Sequence, residues 1–266
     1  MELITPITST KNDRIKALQR LEKSSERKET GTFLVEGIRE ISKAVKAGFT
    51  FREVFYCPTL VSEDAVRKLI GSNTVLVPVS HHVFEALTYR ENKDGLLAVA
   101  QYKSLSLDAV QLSKTPFLIV LEAVEKPGNL GAILRTADAA NVDAVLVCDP
   151  KTDIYNPNVI RSSIGCVFSK QVVCCDNESA VHYLRQKQIT SIATTPYTEQ
   201  VYFKEDLTKP VAIVMGTEAE GLSDFWLQHA DVQAKVPMLG EADSLNVSVC
   251  LAVLVYETVR QRLSLS

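Results

Sequence analysis

Apolar positions along the chain follow two rhythms, and the alternation between them starts twice. In the first stretch, short strand-like runs ("TFLVEG", "FREVFYC", "NTVLVPV", "GLLAVAQY") are separated by segments with helical spacing ("IREISKAVKAG", "SEDAVRKLIG", "SHHVFEALT"). Gly48 closes the first of these helices and Ser80 opens the last. Ahead of them, "KNDRIKALQRLEKSSERKE" reads as one helix with Ile15, Leu18 and Leu21 on its apolar face, ended by "SSERKETG". The polar run "KSLSLDAVQLSKTP" near residues 103–115 reads as a linker.

After Pro116 the alternation restarts with more continuously apolar strands: "FLIVLEAV", "DAVLVCD", "KQVVCC", "ITSIATT", "PVAIVMG" and "VQAKVPM". Helices are expected at "NLGAILRTADAAN", "VIRSSIG", "ESAVHYLRQKQ", "LSDFWLQHA" and from about Leu245 to the C-terminus. Strands apolar throughout belong in a parallel sheet covered on both faces. The expected fold is therefore α/β in two parts, residues 1–105 as a small α/β layer domain and residues 106–266 as a parallel-sheet domain. Ligands bind such sheets beyond the carboxyl ends of the strands. The loops to inspect follow Val124, Thr195, Met215 and Met238.

Composition narrows the classes. The chain has 266 residues, 46% hydrophobic and 23% charged, which is ordinary for a globular protein. The N-terminal stretch has no apolar signal core, and no run approaches the length of a membrane span. Six scattered cysteines without a C-x-x-C pair or a nearby histidine cluster argue against a metal site and for a reducing, cytoplasmic setting. The net charge of −3 excludes a globally basic nucleic-acid binder. Divided at residue 105, the same residues give +3 ahead of it and −6 after it. Lys11, Arg14, Lys16, Arg20, Lys23, Arg27 and Lys28 could meet a polyanion, but Asp13, Glu22, Glu26 and Glu29 are interleaved with them, as on any solvated helix.

Three loops carry candidate chemistry. In "EKPGNLGAILRTADAAN", Asn129 can cap the helix. Arg135 is then left over on an apolar helix and calls for an acidic or phosphate partner. In "VAIVMGTEAEGLS", Gly216 and Gly221 bracket Glu218 and Glu220 after a buried strand. Either this is a helix start enriched in acid, or backbone around Gly216 holds a neutral or cationic ligand while Glu218 positions Arg135. In "GEADSLNVSVCLAVLVYE", Ser244, Asn246 and Ser248 supply more polar groups than one helix cap requires. Neither the dinucleotide fingerprint nor the phosphate-binding P-loop is present.

Taken in order, Asn129-x-Gly131-x-x-x-Arg135, "MGTEAEGL", "VPM" and "SLNVS" resemble the SpoU/TrmH branch of the SPOUT RNA methyltransferases. "YNPNVIRSSIGCVF" also resembles that family, and the likeness spans about residues 115–262. "FLVEGIREISKAVKAG" and "DGLLAVAQ" resemble, more loosely, the ribosomal-protein-like substrate-binding domain that often precedes it. The resemblance implies a deep trefoil knot in the C-terminal domain, a homodimer with the site at its interface, and transfer of a methyl group from S-adenosylmethionine to a ribose 2′-hydroxyl of RNA, ribosomal or, alternatively, transfer RNA. It implies cofactor contacts at Thr195, Gly216, Val236, Met238 and Leu245. It places Asn129, Arg135, Glu218, Ser244 and Asn246 at the reaction centre. Two rivals follow from the same residues: an RNA-binding protein with a vestigial cofactor pocket, and a base methyltransferase.

Overall fold

The computed structural model describes residues 5–88 and 94–264. Backbone contacts divide it into two compact units, Met1–Lys103 with Ile154–Ser169, and Ser104–Asp153 with Lys170–Ser266.

The first unit opens with α1 (Asp13–Arg20), capped by the Asn12 side chain accepting from the Arg14 N–H. The single opening helix expected from sequence is in fact two. "SSERKET" does not end α1 but forms α2 (Ser24–Thr30). The break is held by Arg27, which is buried and donates Nη1 to the carbonyls of Leu21 and Glu22 at 2.9 and 2.8 Å. A guanidinium thus satisfies acceptors freed at the end of α1. Arg27 therefore does not belong to the exposed basic face proposed from sequence.

The chain continues through β1 (Thr32–Glu36), α3 (Ile38–Lys46), β2 (Phe51–Tyr56), α4 (Glu63–Ile70), β3 (Val75–Pro78), α5 (His81–Leu87) and β4 (Leu96–Gln101). The Ser80 side chain caps α5 by accepting from the Val83 N–H. The sheet order is β1-β4-β2-β3, with β4 antiparallel to both neighbours and β2 parallel to β3. Period-two alternation sends Leu34, Phe55, Val77, Leu97 and Val99 into one core with Ile15, Leu18 and Phe84. Phe33, which alternates with Leu34, stacks instead on Tyr155 at 4.2 Å between ring centroids. Phe168, Phe49 and Tyr102 complete that aromatic cluster.

The second unit begins at Ser104. The expected linker is only partly a linker, because Leu105, Leu107, Val110 and Leu112 pack onto the second core. Then come β5 (Phe117–Glu122), α6 (Pro127–Ala139) and β6 (Ala144–Cys148). The chain next contributes α7 (Pro157–Ser162) and α8 (Cys166–Ser169) to the first unit, and returns as β7 (Gln171–Cys175), α9 (Asn177–Gln186), β8 (Thr190–Thr194), β9 (Val211–Met215), α10 (Asp224–His229), β10 (Val232–Ala234) and α11 (Val247–Leu263). The six strands are all parallel in the order β10-β8-β9-β5-β6-β7. β5, β6 and β9 are buried at every residue, as a sheet covered on both faces requires. Tyr183, Leu184 and Trp226 pack α9 and α10 on one face, and α6 packs against α11. Arg262 near the end of α11 donates to the carbonyls of Thr115, Pro116, Leu207 and Lys209, which fixes the helix end to the strand starts. Among the described residues no helix is long and apolar enough to cross a membrane.

Candidate active site

The carboxyl ends of β8 and β9 and the segment after β10 surround a cleft of about 370 Å³. Thr195, Gly216, Glu218, Val236, Met238, Ser244 and Leu245 all line it, so one place collects residues from loops far apart in sequence. The described lining includes the carboxylates Glu218, Glu220 and Asp243 and no lysine, arginine or histidine. Such a wall favours a ligand with positive charge and disfavours phosphate.

Gly216 directly follows β9, where the backbone passes close to itself. A Cβ built on it would lie 2.0 Å from the Gly221 carbonyl oxygen, closer than any side chain can be accommodated. The loop is folded onto itself, with the Thr217 N–H donating to the Gly221 carbonyl at 2.9 Å and the Gly221 N–H to the Thr217 carbonyl at 3.2 Å. This closed turn replaces the acid-enriched helix start that sequence offered as one alternative. Gly216 is thereby required by the loop's own closure, before any ligand is considered.

Asn129 is the third residue of α6, not its cap. Pro127 occupies the first turn with its missing N–H and fixed φ, so the helix starts two residues earlier, with Lys126 as the flanking residue. Freed from capping, the Asn129 amide donates through Nδ2 to Glu218 Oε1, and its Oδ1 accepts from Asn246 Nδ2 at 3.2 Å. Asn246 is the cap of α11, accepting through Oδ1 from the Ser248 N–H at 3.0 Å and from the Ser248 hydroxyl at 2.7 Å. Three loops are thus joined by a continuous chain of polar contacts from α11 through α6 to the turn after β9. Ser244 is exposed beside it, donating to Asp243 Oδ1 at 3.3 Å.

Arg135 departs from the expectation. It is exposed on α6 and makes no hydrogen bond or ion pair with the described residues. Glu218, expected to position it, pairs with Asn129 instead. The helix bends the apolar positions Ile133 and Leu134 inward, and position 135 falls on the outer side.

A cofactor of the kind implied by the family has to find polar partners here. Thr194, adjoining Thr195 at the end of β8, lines the cleft and has a buried Oγ1 with no partner among the described residues. Together with the acidic lining, this orphaned hydroxyl fits a polar, positively charged small molecule. Sequence reading missed Thr194, although the doublet Thr194-Thr195 at a strand end carried the signal. It also passed over Tyr197, 89% exposed at the mouth of the cleft, and Cys250, whose thiol burial pushes up to about 11. Among the described residues no group of His, Cys, Asp and Glu could hold a metal ion.

With this geometry in view, comparison with known proteins is informative. The SpoU rRNA Methylase family matches residues 116–256, and an MRM3-like substrate binding domain matches residues 12–98. The 23S rRNA (guanosine(2553)-2'-O)-methyltransferase RlmP of Bacillus subtilis is 30% identical over 94% of this chain and 97% of its own length. A crystal structure of an RNA 2'-O ribose methyltransferase superposes with a TM-score of 0.83 at 40% identity, covering 97% of this chain and 100% of that one. The SpoU methyltransferase AviRb from Streptomyces viridochromogenes, solved in complex with AdoMet, has a TM-score of 0.86 at 28% identity over 95% of this chain and 100% of its own. By both sequence and fold, the chain belongs to the SpoU rRNA methylase family.

Proposed function

We infer that the protein is an RNA ribose 2′-O-methyltransferase that uses S-adenosylmethionine and acts on ribosomal RNA. The observation that carries this is the Asn246–Asn129–Glu218 chain, drawn from three separate loops, beside a cleft whose described lining is acidic and free of basic side chains. A bound S-adenosylmethionine supplies a methyl group on a positively charged sulfur. Transfer would form an O–CH3 bond as the S–CH3 bond breaks, the electron pair staying on sulfur and the hydroxyl proton passing to solvent water. Little covalent work falls to the protein, so alignment dominates.

Thr195, Gly216, Val236, Met238 and Leu245 hold the donor, their loops lining the cleft. Glu218, Asn129 and Asn246 fix the relative placement of the loops, and Ser244 stands beside them as a hydrogen-bonding group for ribose. Arg135 carries an exposed guanidinium with no hydrogen-bond or ion-pair partner among the described residues. Its role is to anchor the RNA phosphate through its planar fork of donors and to stabilise charge developing on the ribose oxygen.

Residues 1–105 recognise RNA and residues 106–266 catalyse. In support, Lys11, Lys16, Arg20, Lys23 and Lys28 are exposed along α1, α2 and their flanks, and the first region carries the positive share of the charge. The ribosomal-protein-like character of this region and the trefoil knot of the second come with the family; the lining of one cleft by the loops after β8, β9 and β10 supports the knot. The working form is a homodimer. Val249, Tyr256 and Leu263 recur every seven residues on α11 and are 50%, 51% and 68% exposed, an apolar stripe that a second copy of the chain would cover. A cytoplasmic setting agrees with six free cysteines.

The test uses large-subunit ribosomal RNA from cells lacking the gene. Purified protein and labelled S-adenosylmethionine should transfer label to a single nucleotide, leaving the following linkage resistant to alkali. Label on a base, or no transfer to ribosomal RNA, would overturn the assignment.

A further inference from the structure

Glu122 is the last residue of β5, is 5% exposed, and pairs with no basic side chain among the described residues. A buried carboxylate without a cation is costly unless its oxygens are filled by donors. Here they are. Oε2 accepts from the Ser223 N–H at 2.8 Å, and Oε1 accepts from the Ser223 hydroxyl at 2.6 Å and from Asn177 Nδ2 at 2.9 Å. Asn177 passes the connection on, accepting through Oδ1 from Trp226 Nε1 at 2.6 Å.

The placement of Ser223 gives this network its consequence. Ser223 ends the turn that leaves β9 at Gly216, and Thr217–Gly221 within that turn is self-closed by its own backbone bonds. A closed turn of this kind shifts as a unit about its two ends. One end is fixed by β9 in the sheet; the other is fixed by Glu122. The same Glu122 terminates the strand that leads, through four residues, into α6 and Asn129. One carboxylate therefore sets the register between the loop that carries Glu218 and the loop that carries Asn129.

We propose that Glu122, acting through Ser223, is a positioning residue that holds the 216–222 turn in the shape that binds the methyl donor. This rests on the functional reading above. Loosening Ser223 leaves the turn closed but lets it pivot, so donor affinity falls while the chemical step, once donor is bound, changes little.

Ser191 supplies a matched control. Its hydroxyl donates to Asp231 Oδ2 at 2.6 Å, and Ser191 is also buried, but it lies near the start of β8, away from the strand ends that form the cleft. Ser223→Ala, Glu122→Gln and Ser191→Ala are compared in the full chain. Calorimetric titration gives the S-adenosylmethionine Kd, a thermal melt gives Tm, and emission of the single tryptophan, Trp226, reports the network. Ser223→Ala and Glu122→Gln should each weaken donor binding about tenfold, the worth of one charge-assisted hydrogen bond. The KM for donor should rise in proportion and kcat should stay within severalfold. Ser191→Ala should lose Tm with Kd unchanged. Glu122→Gln should also shift Trp226 emission, since its amide turns a donor toward Ser223 or Asn177. Should Glu122→Gln not fold, Ser223→Ala decides. A Ser223→Ala protein with wild-type Kd and the same Tm loss as Ser191→Ala overturns the proposal. Wild-type protein that binds no S-adenosylmethionine overturns the functional reading itself, and the positioning role with it.

Discussion

Replacing Arg135 by alanine separates catalysis from folding because of where the side chain stands. A buried arginine pulled from an ion pair costs about 3–5 kcal/mol, which in a domain of this size lowers Tm by roughly 6–20 °C. Arg135 is exposed and has no partner to orphan among the described residues. Surface substitutions of that kind stay within about 0.5 kcal/mol, and alanine's higher helix propensity on α6 offsets part of any loss. The melting temperature should therefore move by no more than about 2 °C. Arg135 is also absent from the described lining of the cleft, so donor affinity should hold. What goes is charge stabilisation at the reacting oxygen, worth about 10²–10³ in rate when one such donor is removed elsewhere. Single-turnover transfer to ribosomal RNA, read beside Tm and donor Kd on the same preparation, measures all three. Arg135→Lys should remain slow, because an ammonium lacks the planar fork that engages phosphate and a neighbouring acceptor together. A folded Arg135→Ala protein methylating at the wild-type rate would refute the role; a large drop in Tm would refute the account of its surroundings.

Gly216→Ala should abolish donor binding by deforming the turn, since even a methyl meets the Gly221 carbonyl at 2.0 Å; calorimetry and a limited-proteolysis site within 216–222 check this, and unchanged affinity refutes it. Tyr256→Glu on the exposed α11 stripe should shift the protein from dimer to monomer in sedimentation velocity, with little change in the monomer's far-ultraviolet dichroism. Lys16→Glu with Arg20→Glu should weaken RNA binding and flatten its salt dependence by about two phosphate contacts' worth of slope, leaving donor Kd alone. Charge reversal is a cleaner test than cutting the chain near residue 105, which would strip Tyr155 and Phe168 of Phe33 and Phe49. Cys175 should alkylate ahead of Cys250 at pH 8. The hydrogen bond with Cys148 lowers its pKa and raises its thiolate fraction, whereas burial pushes the Cys250 thiol up to about 11; mass spectrometry of partially labelled protein gives the order.

Most elements were legible because their signals are local. The run "FLIVLE" is buried at every position and could only be an interior strand, and Ser80 caps α5 with the geometry its residue type favours. The failures have physical causes of longer range. The break between α1 and α2 depends on Arg27 folding back onto carbonyls five and six residues earlier, and nothing in helical periodicity distinguishes that arginine from its exposed neighbours. The segment around "YNPNVIRSSIGCVF" leaves one unit and packs in the other because Tyr155 and Phe168 meet Phe33, a partner more than a hundred residues away.

The site divides along the same line. Three motifs named Asn129, Glu218 and Asn246, which the structure joins by hydrogen bonds; how they connect was not readable, because each motif offers a sufficient local explanation for its own polar groups. Asn129 illustrates the point. A capping residue spends its side chain on its own helix, and the sequence "KPGN" allows either Asn129 or the residue before proline to stand at the helix start. Pro127 decides it, since a proline needs no N–H partner in the first turn and arrives with helical φ. Only once the helix begins there does the Asn129 amide have both a donor for Glu218 and an acceptor for Asn246. The opposite holds at Asn246, whose Oδ1 caps α11 while its Nδ2 remains available to Asn129. An amide can serve both ends because it carries donor and acceptor on separate atoms. A serine at 246 could still cap through its oxygen, but its single hydroxyl proton could not match the reach of Nδ2 to Asn129. A carboxylate there would cap equally well and repel Glu218. Asparagine at both positions is therefore what lets two helix starts and one acidic turn meet with a donor facing each acceptor, and that requirement becomes visible only when the three loops are brought side by side.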